Sequence, residues 1–79
     1  MIEDDKEAVK WYRKAAELGD TKAMTDLGHK YANGYGVIQD HKEALKWFRK
    51  AAELGNTSAM FSLGFIYDHG RVARRTWFG

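Results

Sequence analysis

Apolar residues recur along this chain at helical intervals, in stretches that copy one another. Ala8, Trp11, Ala15 and Leu18 fall three and four residues apart, and Ala44, Trp47, Ala51 and Leu54 repeat them, the spacing of one face of a helix. A second stripe, Ala23, Leu27 and Tyr31, is copied by Ala59, Leu63 and Tyr67. Between the apolar positions of the first stretch stand Lys6, Lys10, Arg13, Lys14 and Glu17, which reads as a solvated convex face. No segment alternates in the manner of a strand. The pattern predicts four helices, at about 5–18, 21–33, 41–54 and 57–69.

The punctuation agrees with those bounds. Asp4 with Glu7, and Asp40 with Glu43, have the spacing of a capping box at a helix start. Gly19 and Gly55 stand where a left-handed stop is wanted, and Asp20 and Asn56 follow at once as caps of the next helix. Turns this short force antiparallel helix pairs. Gly28 and Gly64 fall inside helices, where each glycine costs about 1 kcal/mol against alanine. Their equivalent positions point to close helix–helix approach. Tyr35-Gly36-Val37-Ile38-Gln39 links the halves, with Val37 and Ile38 expected in the seam.

The two halves match at a constant offset of 36 residues, as between Trp11 and Trp47 or Tyr31 and Tyr67. A period of this size built from helices marks a stacked repeat. Such a unit cannot bury its apolar face alone, so most positions are committed to stacking. With the second helix of a unit called B and the first A, the order is B-A-B-A. The expectation is that the first helix lacks an A partner before it and the last lacks a B helix after it.

Composition narrows the picture further. The chain has 79 residues, no cysteine and no proline, so it is one small domain without a disulfide frame. No apolar run approaches the roughly 20 residues of a membrane-spanning helix. The acidic start Met1-Ile2-Glu3-Asp4-Asp5 is unlike a secretory signal, and the expected location is the cytoplasm. The net charge is +2, yet Arg71, Arg74 and Arg75 supply +3 and no acid follows Asp68. The repeat body is therefore near neutral and the basic residues lie at one end, whereas a nucleic-acid binder carries a basic face on its folded body.

The stretch from Lys6 to Val37, KEAVKWYRKAAELGDTKAMTDLGHKYANGYGV, resembles the Sel1-like repeat, a relative of the tetratricopeptide repeat. The matching positions are Ala8, Trp11, Ala15, Ala16, Gly19, Ala23, Leu27, Gly28, Tyr31, Gly34, Gly36 and Val37, with a second copy from Asp40. The resemblance implies an all-α fold, an α/α solenoid of antiparallel helix pairs whose members act as adaptors and scaffolds for protein complexes. It places two repeat units in residues 1–70 and a basic, aromatic tail in 71–79. It implies no catalytic residue and no cofactor. The pattern breaks after Gly70, where Arg71-Val72-Ala73 replaces the Tyr35-Gly36-Val37 of the first copy.

Function must lie where the copies differ. By analogy with tetratricopeptide solenoids, the A helices line a concave groove. Their expected ligand-facing residues include Lys22, Thr25, His29 and Asn33 in one copy and Phe61, Phe65 and His69 in the other. Thr25 becomes Phe61 and His29 becomes Phe65, which puts two phenylalanines on one helical face. They read either as an anchor for a partner peptide or as packing for the tail or for a second copy. Trp77 and Phe78 could fold back onto Leu63, Tyr67 or Phe65 in place of the missing B helix. Exposed stacking faces at both ends would otherwise favour a homodimer or head-to-tail association.

Other chemistry finds little support. His29, His41 and His69 have no zinc spacing, so no metal site is expected. Asp4, Asp5 and Glu7 cluster where a helix start favours carboxylates. Gly34-Tyr35-Gly36 is too short to cradle a phosphate, and neither Ser58 nor Ser62 has a base placed beside it. The expectation is a non-catalytic protein-interaction module binding a partner segment in its groove. A self-associating fragment is the first alternative. The second is weak, salt-sensitive binding of nucleic acid or an anionic surface through Arg71, Arg74 and Arg75 beside Trp77.

Overall fold

The computed structural model describes residues 4–78, with side-chain placement for residues 4–68. Four helices follow one another: α1 (Asp5–Glu17), α2 (Thr21–Asn33), α3 (His41–Glu53) and α4 (Thr57–Phe78), with no strand among the described residues. Each start carries its expected cap. The carboxylates of Asp4, Asp20 and Asp40 accept the amides of Glu7, Ala23 and Glu43 at 3.0–3.1 Å. The Asn56 side chain accepts that of Ala59 at 2.9 Å. The two capping boxes are only half closed, because their glutamates turn outward. Glu7 accepts the Trp11 indole N–H at 3.0 Å, and Glu43 pairs with Lys46 at 2.9 Å.

The helix-to-helix turns end in left-handed glycines, Gly19 at φ +100° and Gly55 at φ +99°. The amides of Gly19 and Asp20 reach back to the carbonyls of Ala16 and Ala15, and Gly55 and Asn56 repeat the arrangement on Ala52 and Ala51. This is the double hydrogen bond that satisfies the last carbonyls of a helix. It leaves Leu18 and Leu54 at the cap, 90% and 59% exposed. Both were expected on the buried stripe, which instead stops one turn earlier.

The expected end of the fourth helix near His69 is corrected: α4 runs on to Phe78. The segment read as a tail from residue 71 is helical, continuous with α4. The contrast with α2 supplies the reason. Gly34 ends α2 at φ +74°, and a second glycine, Gly36 at φ +79°, turns the chain onto the start of α1. After Gly70 the second glycine is missing, and arginine and alanine are good helix formers. The side chains of His69, Trp77 and Phe78 lie outside the described placements, so the idea that the aromatic pair folds back falls there too.

The core lies among α1, α2 and α3, with Ala59 entering from α4. Phe48, Met24 and Leu27 are its largest fully buried side chains. Within each hairpin an arginine crosses to the tyrosine of the next helix: Arg13 donates to the Tyr31 hydroxyl, and Arg49 to that of Tyr67 at 2.5 Å. The connector 34–40 is pinned at its far end. The Asp40 amide donates to the Tyr31 carbonyl at 2.9 Å, and the Gln39 side chain to that of Ala32 at 2.8 Å. Val37 packs against the core, but Ile38 is 90% exposed, so the seam takes one of the two residues expected there.

Equivalent positions differ in burial according to their place in the stack. Trp47 is 6% exposed and Trp11 56%. Each has two lysines over its ring at 5.2–5.8 Å, Lys10 and Lys14 for Trp11, Lys46 and Lys50 for Trp47. The lysine pair is the same, but the indole N–H is not treated alike: that of Trp11 donates to Glu7, whereas that of Trp47 is buried without a partner among the described residues.

Candidate functional site

Between α2 and α4 lies an open groove of about 730 Å³. Its floor is Phe48, which reaches up from α3. One wall is the last turn of α2, with His29, Ala32 and Asn33. The other is a face of α4 running from Thr57 through Phe61, Ser62 and Phe65 to Ile66. Phe61 is 76% exposed and Phe65 57%.

The floor exists because of a glycine. A Cβ on Gly28 would stand 2.6–2.9 Å from three ring carbons of Phe48, so only glycine at that point of α2 admits the ring. Phe48 then meets His29 edge-on, with ring centroids 5.0 Å apart and planes at 67°, a favoured aromatic arrangement. His29 thus closes the rim above the ring that Gly28 lets in. The Asn33 side chain donates to the His29 carbonyl at 3.0 Å, which ties off the end of α2 beside the groove. Among the described residues no aspartate, glutamate, lysine or arginine lines the groove, so it suits an apolar segment with polar edges.

Four of the seven residues expected to face a ligand, His29, Asn33, Phe61 and Phe65, meet in this groove. Thr25 is corrected: it is 5% exposed, and its hydroxyl donates to the Thr21 carbonyl at 2.9 Å. Burial takes position 25 out of the ligand-facing set. Lys22 is exposed but stands apart from the groove lining. His69, Arg71, Arg74, Arg75, Trp77 and Phe78 have side chains outside the described placements.

Phe48 and Ile66 were not foreseen. The mid-helix Gly28 signalled that something large had to approach, but not which ring. The signal for Ile66 was a paired change between the copies. Lys30 in α2 bonds Asp5 of α1 at 2.8 Å, and the equivalent positions are Ile66 and His41. The ion pair of the first unit is lost on both sides in the second, which turns that flank of α4 apolar. Among the described residues no cluster of histidine, aspartate or glutamate could hold a metal, and no helix is long and apolar enough to cross a membrane.

The comparisons with known proteins agree with this architecture. The Sel1 repeat model matches residues 1–20, 21–56 and 57–74, so that α2 and α3 together form the central unit. The structure is similar to that of a Sel1 repeat protein from Oxalobacter formigenes, with a TM-score of 0.82 and 45% identity over 85% of this chain. It is also similar to a protective antigen present in uropathogenic Escherichia coli strains displaying an SLR fold, with a TM-score of 0.81 and 42% identity over 85% of this chain. The chain spans 27% of the first and 14% of the second. No curated protein matches it. Family model and solved structures converge on the same helical repeat: the chain belongs to the Sel1 repeat family, whose members are in general protein-interaction modules.

Proposed function

We propose that this chain is a non-catalytic interaction module that holds a segment of a partner protein in the groove between α2 and α4. The observation that carries the reading is the pair Phe61 and Phe65, 76% and 57% exposed on the wall of a groove floored by Phe48. Aromatic side chains at the surface, phenylalanine among them, are enriched at protein interfaces. Ser58, Ser62 and Asn33 supply hydrogen-bonding groups along the edges, and the partner is an extended or helical segment that presents apolar side chains to the rings.

The test is selection of random displayed peptides on the intact chain, followed by binding to Phe61→Asp and Phe65→Asp. Both positions are exposed, so both variants should keep the helicity of the parent. Enriched peptides should carry spaced apolar residues and lose binding to both variants by tenfold or more. Peptides that bind the variants as well as the parent, or a selection that enriches nothing, would discard the groove.

A further inference from the structure

The two walls of the groove carry equivalent positions of the repeat, filled by residues of different kinds. His29 on α2 and Phe65 on α4 stand 36 residues apart, and both line the same groove. Only the first can take up a charge, and histidine is the side chain whose charge ordinarily changes between pH 5 and 8. Among the described residues no other titratable group lines the groove: α3 presents Phe48, and α4 presents serine, threonine and apolar side chains.

A charge on His29 would have no opposing partner in the groove. On α2 itself the acid nearest in helical spacing is Asp26, three residues earlier, and it does not line the groove. Lys22 stands apart on the same helix, and Lys30 is engaged with Asp5 of α1. From α3 the Phe48 ring meets the imidazole with centroids 5.0 Å apart. The charged side chains Lys42, Lys46, Arg49, Lys50 and Glu53 of that helix surround a separate cavity, and Glu43 pairs with Lys46. On α4, Asp68 lies outside the lining. His29 is exposed, and among the described residues no hydrogen bond or ion pair holds its ring nitrogens.

We infer that His29 makes capture in the groove depend on pH: an apolar segment docks against the neutral imidazole and is released when the ring is protonated. This rests on the groove reading above. A segment that reaches the Phe48 floor lies against the His29 ring, because the two rings are in contact. Docking strips water from the imidazole, and a cation with no opposing charge loses far more by that than a neutral ring. The bound state therefore disfavours the proton. Affinity is full above the titration of the histidine and falls as the pH drops through it.

Peptides selected at pH 7.5 from a displayed library without histidine, aspartate or glutamate, and synthesised with blocked ends, test this through their affinity at pH 7.5 and pH 5.5. The intact chain should bind about tenfold more weakly at pH 5.5, the most that excluding one proton from a histidine titrating near 6.5 supplies. His29→Gln should bind alike at both pH values, as tightly as the parent does at pH 7.5. His29→Lys should bind weakly at both. Position 29 is exposed, so circular dichroism should show both variants folded. Phe61→Asp should lose the peptides at either pH, which locates them in the groove. Peptides that ignore Phe61→Asp, or a library that enriches nothing, overturn the groove reading and this inference with it. Peptides that need Phe61 yet bind the parent equally at both pH values overturn this inference alone. So does a pH effect that persists in His29→Gln, which would put the proton on another group.

Discussion

The ring of Phe48 stands where a side chain on Gly28 would have to be, three of its carbons 2.6–2.9 Å from the Cβ position. One glycine and one phenylalanine thus fix how α2 and α3 approach. They also fix the height of the groove floor and the edge-on contact that orients His29.

Gly28→Ala and Gly64→Ala should therefore have opposite signs. Alanine is favoured over glycine by about 1 kcal/mol within a helix, and at Gly64 nothing opposes that gain. At Gly28 the added carbon overpacks a ring that is 1% exposed, at a cost of about 1–3 kcal/mol. Chemical denaturation of dilute protein should show Gly64→Ala stabilised and Gly28→Ala destabilised. Equal shifts would mean that Phe48 moves aside freely.

The two repeated tryptophans should report different surroundings. In a Trp77→Phe background, Trp11→Phe leaves Trp47 as the sole indole, 6% exposed, and Trp47→Phe leaves Trp11, 56% exposed. The first protein should emit further to the blue and resist acrylamide, and the second should be readily quenched. Matching quenching constants would contradict the burial of Trp47 by its neighbours.

Gly36→Ala should be far more harmful than Gly19→Ala. Both glycines have positive φ, +79° and +100°, so both substitutions carry a backbone strain of about 1–2 kcal/mol. A Cβ at Gly19 meets nothing, but at Gly36 it would stand 2.5 Å from the backbone carbonyl of Asp5, and backbone cannot swing away. Thermal unfolding should show a Gly36→Ala loss exceeding that of Gly19→Ala by about 1 kcal/mol or more. A ranking reversed from this would dismiss the contact between connector and α1.

The Lys30–Asp5 pair joins α2 to α1 at 2.8 Å with side chains 22% and 46% exposed. A double-mutant cycle with Lys30→Met and Asp5→Asn should give a coupling of about 0.5–1 kcal/mol, in the range of partly exposed pairs. That coupling should shrink in 1 M salt. Transplanting the pair into the second unit, as Ile66→Lys with His41→Asp, should restore a similar coupling while adding charge to the groove wall.

Helix positions, caps and the repeat itself were determined by the sequence, because each rests on neighbours within a few residues. Asp or Asn caps, glycine stops and three-four spacing act through hydrogen bonds and side-chain contacts inside one turn. The doubled pattern then made stacking of antiparallel pairs the economical way to bury both stripes. Burial at equivalent positions was decided elsewhere. Trp11 and Trp47 stand in the same local sequence, between the same lysines, yet they are 56% and 6% exposed. Thr25 read as ligand-facing by analogy with related solenoids, and only the tertiary packing makes it a buried position. The same holds for the groove, whose floor comes from α3 and whose walls come from α2 and α4. The end of α4 belongs to both accounts. Gly70 marks a stop by analogy with Gly34, but a glycine ends a helix only when the next residues turn the chain onto a surface that holds it. Gly36 does so against Asp5, and the residues after Gly70 have no second glycine with which to do the same.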